Sequence, residues 1–314
     1  MGRMSKKFSA HARTNEPYKN VLEGIQTLNR NLLADQNGFA RLSNLLTQLT
    51  GIHLPSTNKN QALMANRLSS IISNHGLHSY DEYFRVIGNG NKQIQDEFIS
   101  ALTTHTTQFF RESPQISLFK EILPDYLKYK EKKQQFEIRL WCAASSTGQE
   151  PYTLAMTLRE VLPISDFSKW NIKMLATDID PRSLEYAAQG KYTKSEIASL
   201  PEQHRKTYVT EVNTNGETHY QMDPRLQSMI RFARLNLLDN TYPFKHSFDF
   251  IFCRNVLIYF DEAMGMNVVR KMEAALAVEG YLFIGASESG YMKLKSLQQV
   301  LPSSYQKKVK IGGP

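Results

Sequence analysis

FEIRLWCAASSTGQEP (Phe136–Pro151) is the stretch whose reading decides the fold. A short apolar run over Phe136–Trp141 has the length and bulk of a buried strand. The small residues that follow, Ala143-Ala144-Ser145-Ser146-Thr147-Gly148, make a tight turn, and Pro151 opens a helix carrying Leu154, Leu158, Val161 and Leu162. The same alternation continues downstream. Strands are expected over Asn171–Thr177, Met229–Ala233, Phe248–Cys253, Tyr281–Gly285 and near Tyr305–Val309, and Asp180-Pro181 caps a helix bearing Leu184 and Ala188. Alternating β and α predicts a mostly parallel sheet covered on both faces. One stretch breaks the pattern. Tyr208–Met222 holds two alternating runs around Asn215-Gly216, a pair suited to two positive-φ turn positions, so an antiparallel hairpin is inserted between successive strands of the sheet.

Upstream the periodicity is helical. Phe39, Leu42, Leu45, Leu46 and Leu49 mark one helix face, with Gly51 as its stop, and Met64, Leu68, Ile71 and Ile72 mark a second. Ser79-Tyr80-Asp81-Glu82 is a capping box before Tyr83, Val86 and Ile87, and Ile94, Phe98 and Leu102 carry a fourth helix. The expected organisation is a basic flexible tail over 1–30, a helical bundle with its linker over 31–112, and an α/β domain over 113–314 with the inserted β-subdomain at about 205–228. Lys128–Lys133 reads as a solvated helix end or loop.

The chain has 314 residues, 38 Lys+Arg and 30 Asp+Glu. The excess of +8 is split between 1–30, with six basic and two acidic residues, and 113–314, with 26 and 22. No concentrated basic groove with interleaved aromatics is present, which argues against nucleic acid as a partner. No apolar run reaches the roughly 18–20 residues of a bilayer span, and the basic N-terminus lacks the apolar core of a secretory signal. Direct membrane insertion is not expected, and the chain reads as soluble and cytoplasmic. Cys142 and Cys253 are too few for a disulfide framework and read as core residues. His75 and His78 read as helix-end residues and not as a metal pair, so no metal is expected.

In open α/β sheets, ligands bind beyond the carboxyl ends of the strands. After the first strand, the turn 143–148 lets a ligand approach backbone N–H groups, but it lacks the glycine fingerprint of a dinucleotide site. After the second, Asp178 is placed to accept ribose hydroxyls and Asp180 to cap a helix; both as caps or turn residues is the plainer alternative. After the third, Asn236-Leu237-Leu238 offers an amide and backbone groups to a base edge. After the fourth, Cys253-Arg254-Asn255-Val256 brings a cation and an amide, with Tyr259 a turn further on. A nucleoside site without a phosphate cradle points to S-adenosylmethionine, whose ammonium a carboxylate such as Glu150 suits. Residues 103–112, Thr103-Thr104-His105-Thr106-Thr107-Gln108-Phe109-Phe110-Arg111-Glu112, carry more polar and aromatic groups than a spacer needs. Phe109 and Phe110 either pack the domains together or line the pocket, and Arg111 either joins an interdomain salt bridge or serves the site.

These residues taken together resemble a known family, the CheR chemotaxis-receptor glutamate methyltransferases. The resemblance covers about residues 37–310. It rests on TTxxTxFFRE (Thr103–Glu112), ASSTGQEPYT (Ala144–Thr153), ATDID (Ala176–Asp180), NLL (Asn236–Leu238), FCRNVLIYF (Phe252–Phe260) and GASES (Gly285–Ser289), in that order. It implies a helical N-terminal domain, a Rossmann-like methyltransferase domain dependent on S-adenosylmethionine, and a small β-subdomain that engages receptors. By motif position it assigns the cofactor to His105, Thr107, Arg111, Glu150, Asp178, Asn236, Leu237, Arg254 and Asn255. It sets Arg111 and Tyr259 against the reacting glutamate. His105 departs from the asparagine common in the family, and Ala286 from a frequent histidine.

The expected reaction carries a methyl group from S-adenosylmethionine to glutamate carboxylates on the cytoplasmic helices of a chemoreceptor, leaving S-adenosylhomocysteine. The expected partner is the receptor cytoplasmic domain, with its C-terminal tail held by the β-subdomain as an added strand. The alternatives are methylation of another acceptor, a nucleic acid or a small molecule, and a non-catalytic adaptor that binds S-adenosylmethionine or a receptor.

Overall fold

The computed structural model describes residues 16–308 except 105, 163–167, 215 and 293, and for residues 16–20 the backbone alone. Two compact units emerge. The first runs to Leu49 and resumes over His53–Leu102; the second takes Thr50–Ile52 and the chain from Thr103 onward.

The first unit is helical: α1 (Glu16–Ala34), α2 (Gln36–Thr50), α3 (Asn58–Asn74), α4 (Tyr80–Gly88) and α5 (Lys92–Leu102). The last four lie where the apolar spacing put them, and Phe39, Leu42, Leu68, Ile72, Tyr83 and Phe98 are at most 1% exposed. Tyr83 and Phe98 meet edge to face at 6.2 Å. Ser79 Oγ accepts the Glu82 N–H at 3.2 Å, as a capping box requires, although the Glu82 carboxylate reaches back to the N–H of His78 and not of Ser79. His75 ends α3 and pairs through Nε2 with Glu97.

α1 corrects the expected tail over 1–30. From Glu16 onward those residues are helical; residues 1–15 lie outside the described part. The basic excess obscured an apolar stripe, whose Leu28 and Leu32 are buried where α1 packs on α3. Asn29 adds a side-chain bond to Asn66 at 3.0 Å. Charge density says little about order when one face still has apolar residues to bury.

The second unit is built on a seven-stranded sheet. Its strands are β1 (Glu137–Ala143), β2 (Asn171–Asp178), β6 (Ile230–Arg234), β7 (Phe248–Cys253), β8 (Leu276–Ile284), β9 (Leu297–Leu301) and β10 (Ser304–Lys307), in the order β6-β2-β1-β7-β8-β10-β9. The first five run parallel, and the last two return antiparallel. Strand order reverses at β1, so the ends of β1 and β7 open the crevice where α/β sheets bind ligands. One face is covered by α6 (Ser113–Lys132) and α7 (Gln149–Val161) around Phe119, Phe250 and Phe252. The other is covered by α11 (Glu262–Ala275) and by a loop whose Tyr242 and Phe244 pack on Trp141.

α6 is the main element without a signal in the sequence. Pro124 sits in its interior and interrupts the helical reading, yet Phe119, Leu123, Tyr126 and Leu127 bury one face against the sheet. The charged 128–133 segment is the end of this helix, solvated as expected except at Lys130, which turns inward to pair with Asp249 at 2.9 Å. Cys142 and Cys253 are fully buried.

The inserted hairpin is β4 (Val209–Thr214) and β5 (Glu217–Met222), pairing Thr214 with Glu217 across the two-residue turn. Gly216 has φ +83°; Asn215 lies outside the described residues. A short β3 (Lys191–Tyr192) joins β5 on its other side, so the small sheet has three strands ordered β3-β5-β4. β3 follows α8 (Pro181–Gln189), which is capped by Asp180 through the N–H groups of Arg182 and Ser183.

If α1 is a packed helix, Leu32→Ala, which empties a site 3% exposed, costs about 2–4 kcal/mol. Urea unfolding of the full chain measures it, and a change below about 0.5 kcal/mol, the range of ordinary surface substitutions, would return residues 16–34 to the status of a tail.

Candidate active site

The end of β1 sets the geometry. Ala144 and Ser146 adopt φ +57° and +48°, and Gly148 reaches φ +96° before α7 begins. A Cβ on Gly148 would stand 2.8 Å from Ala187 Cβ and 2.9 Å from Tyr192 Oη, so only glycine satisfies both the backbone and the packing. Tyr192, at the start of the small sheet, donates its hydroxyl to the Thr147 carbonyl at 2.8 Å and supports the turn from below.

Asp178 ends β2 beside this turn. Its Oδ2 accepts the Ser146 N–H at 2.7 Å and its Oδ1 the Asp180 N–H at 3.0 Å. The carboxylate therefore shapes the loop as well as facing the cavity. Asn236, past β6, accepts the Leu238 N–H at 3.0 Å, which orients its amide.

Arg254, at the end of β7, has a side chain only 3% exposed. Nε pairs with Glu150 Oε2, Nη1 donates to the Arg111 carbonyl at 2.9 Å and to Gln115 Oε1 at 3.2 Å, and Glu112 Oε2 lies 3.7 Å away. Burial opposes the charge, but Glu150 and Glu112 outweigh it and hold the guanidinium above its ordinary pKa. The other oxygen of Glu150 accepts the Cys142 thiol at 2.9 Å; burial first, then this carboxylate, pushes that thiol well up, so it remains a donor. Asn255, at φ +58°, donates its amide to Glu112 Oε1 at 3.0 Å.

Thr107, Arg111, Glu150, Asp178, Asn236, Leu237, Arg254, Asn255 and Tyr259 all line one cavity, while His105 lies outside the described residues. Thr50 and Ile52, which belong to the same compact unit, close part of its wall. Phe109 and Phe110 are not in the lining. Phe109 is core, edge to face on Tyr192 at 5.2 Å, and Phe110 meets the His204 ring at 4.7 Å in a tilted arrangement. Arg111 is half-buried and donates to the Thr106 carbonyl at 2.8 Å. Among the described residues, no group of three or more His, Cys, Asp or Glu side chains is arranged to hold a metal, and no helix is long and apolar enough to cross a membrane.

Two features were not read from the sequence. Ser145 and Ser146 line the cavity with buried hydroxyls that have no hydrogen-bond partner, a cost that a polar ligand would remove. Backbone strain also collects here: Phe110 and Glu112 on either side of Arg111, with Ala144, Ser146 and Asn255, account for five of eight described non-glycine residues at positive φ. Spare hydroxyls, small side chains and carboxylates at the strand ends fit a nucleoside that carries an ammonium, as S-adenosylmethionine does.

Comparison with known proteins is consistent across the chain. Residues 37–103 match the CheR methyltransferase all-alpha domain, and residues 105–306 match the CheR methyltransferase SAM binding domain. A chemotaxis protein methyltransferase of Borreliella burgdorferi is 35% identical over 282 residues, 89% of this chain and 96% of that protein. Those of Escherichia coli and Salmonella typhimurium are 35% and 34% identical over 266 residues, each covering 84% of this chain and 88% of theirs. With both domains matched in order, and most of the chain covered by these relatives, the chain belongs to the CheR family of S-adenosylmethionine-dependent chemotaxis methyltransferases.

Proposed function

We propose that this methyltransferase esterifies glutamate side chains on the cytoplasmic helices of a chemoreceptor, with Arg111 and Tyr259 facing the acceptor. The observation that carries the reading is that Arg111 and Tyr259 line the same cavity as Asp178 and Glu150, so acceptor and cofactor groups converge on one space. When bound, S-adenosylmethionine supplies the methyl group: the O–C bond forms as the S–C bond breaks, and the electron pair stays on sulfur in S-adenosylhomocysteine.

The residues then divide the work. Asp178 offers acceptors to ribose hydroxyls, while Asn236 and Leu237 face the base. Glu150, already paired with Arg254, keeps negative charge near the ammonium. Thr107, Asn255 and, by its motif position, His105 complete the cofactor set. A glutamate of ordinary pKa ~4.3 is ionised at neutral pH, so no general base is needed. The remaining task is to hold the carboxylate close and in line, and orientation of that kind supplies about 7–11 kcal/mol in favourable cases. Arg111 is suited to orient the carboxylate by charge-assisted bonds, with its angle set by the Thr106 carbonyl. Tyr259 adds a hydroxyl at the cavity mouth. The product ester is neutral, so it leaves the arginine readily. Each ester also removes a negative charge from a receptor helix, which weakens repulsion between packed helices.

Docking is assigned to the hairpin. β4 is an outer strand of the small sheet, paired with β5 on one side. The Asp223 N–H bond to the Tyr208 carbonyl sets the phase of the ladder, so the backbone groups of Glu211 and Asn213 point away from β5. A receptor C-terminal tail adding as a fourth strand would bind there.

Labelled methyl transfer to receptor cytoplasmic fragments tests the chemistry. Base-labile label on the fragment is expected, and Arg111→Ala should lower kcat/KM by about 100-fold or more, comparable to removing one oriented charge-stabilising donor. Label that resists base, or that appears on nucleic acid instead, would overturn the glutamate reading. For the cofactor, Asp178→Asn should weaken S-adenosylmethionine binding by about ten-fold, one strong hydrogen bond to a charged group, as measured by calorimetry. Docking is tested by Glu211→Pro, which removes an outward N–H and leaves the β4–β5 ladder intact. The affinity for a receptor tail peptide should fall while turnover on tail-less fragments stays unchanged; unaltered peptide affinity would reject strand addition at this edge.

A further inference from the structure

Glu288 is fully buried, yet it is absent from the cavity lining and from the set of residues assigned to cofactor or acceptor. It follows β8 in the stretch Gly285-Ala286-Ser287-Glu288-Ser289. Among the described residues, the hydrogen bonds to its carboxylate come from backbone N–H groups. Oε2 accepts the N–H groups of Gly285 at 2.6 Å and Asn255 at 3.0 Å, and Oε1 accepts Ile258 at 3.2 Å. Two of the three donors, Asn255 and Ile258, belong to the loop 254–259, which carries Arg254, Asn255 and Tyr259 into the cavity. The third, Gly285, anchors the carboxylate to the end of β8.

The packing around it leaves no room for an alternative. A Cβ on Gly285 would lie 2.5 Å from Glu288 Oε2 and 2.8 Å from the Asn255 nitrogen, so the strand end is glycine because the carboxylate and the loop pass directly over it. Asn255 itself is held at φ +58°, an uncommon conformation for a residue with a side chain, and it needs surrounding bonds to persist. Those bonds are Glu288 on its N–H and Glu112 on its amide.

We propose that Glu288 is a positioning residue for methyl transfer: its carboxylate gathers the N–H groups of Asn255 and Ile258 and so sets the direction of the Asn255 amide and the Tyr259 hydroxyl. It touches neither cofactor nor acceptor. The proposal rests on the reading of Asn255 and Tyr259 as site residues given above. Glu288→Gln is the sharpest probe, because the amide has the same shape but one acceptor oxygen and an NH2 group that would face N–H donors.

In the full chain, Glu288→Gln should raise the calorimetric dissociation constant for S-adenosylmethionine about ten-fold and lower kcat on receptor fragments by about 100-fold. The low-field amide-proton signals expected for Gly285 and Asn255 should move upfield in its NMR spectrum. Combined with Asn255→Ala, the loss in cofactor affinity should equal the larger single effect and not the product of the two, because both act on one loop. A Glu288→Gln protein that binds and turns over like the parent would overturn the proposal. So would effects that multiply with Asn255→Ala, or a lowered Tm alone. Should Glu288→Gln not fold, Glu288→Asp carries the same comparison, since it keeps the charge but is one methylene too short to span Gly285 and Ile258 together. Asn255→Ala without effect on affinity or turnover would instead count against the site reading beneath the proposal.

Discussion

A guanidinium taken out of water is the constraint on which this site depends. Burying one charge costs several kcal/mol, and the cost is offset only when geometry and partners are complete. Arg254 meets the condition by drawing in groups from distant parts of the second unit. Glu150 comes from the first turn of α7, the carbonyl of Arg111 and the Glu112 carboxylate come from the segment before α6, and Gln115 comes from α6 itself. Gln115 then donates its amide to the carbonyls of Ile284, the last residue of β8, and Ser303, just before β10. The ends of three strands and two helices are thereby brought to a common register. Removing any one partner leaves a charge or a polar atom without compensation, so the network behaves as a unit.

That arrangement explains what was legible in the sequence. The parallel sheet could be read because its strands are buried on both faces and stand out as apolar runs between capped helices. Asp180 with Pro181, Ser79 with Glu82, and the Asn215-Gly216 pair are local signals whose chemistry acts within a few residues. The cavity residues could be read because strand ends collect ligands and because motif order is distinctive. Elements fixed by long-range contact were harder. α6 carries a proline that local propensity counts against, and its helix is held by the aromatic cluster of Phe119 with Phe250, Phe252 and Phe283. α1 was hidden by its neighbours' charge. Arg254 was legible as a site residue but not as a buried strut, because its partners lie 104 and about 140 positions away. Glu288 had no legible role in its motif, since its bonds among the described residues come from backbone N–H groups and leave no pattern of partner side chains.

The small sheet is more than an appendage. β3 carries Tyr192, whose ring packs on Phe109 and Tyr152 and whose hydroxyl holds the Thr147 carbonyl. The strand that completes the small sheet is thus also a floor for the turn between β1 and α7. Phe109 is two residues from Arg111, so one aromatic cluster supports both the turn after β1 and the segment that carries Arg111. A rigid base of this kind suits a reaction in which alignment supplies most of the rate.

The two cysteines have a practical consequence. Cys142 and Cys253 lie on neighbouring strands but belong to the cores on opposite faces of the sheet, so they cannot join in a disulfide without unravelling it. Both are shielded from solvent, and burial keeps both thiols protonated. Thiol-directed reagents therefore find no ready thiolate on the native protein. A single cysteine introduced on an exposed loop would be the one reactive thiol, and fluorophores or spin labels could be attached there without first replacing native residues.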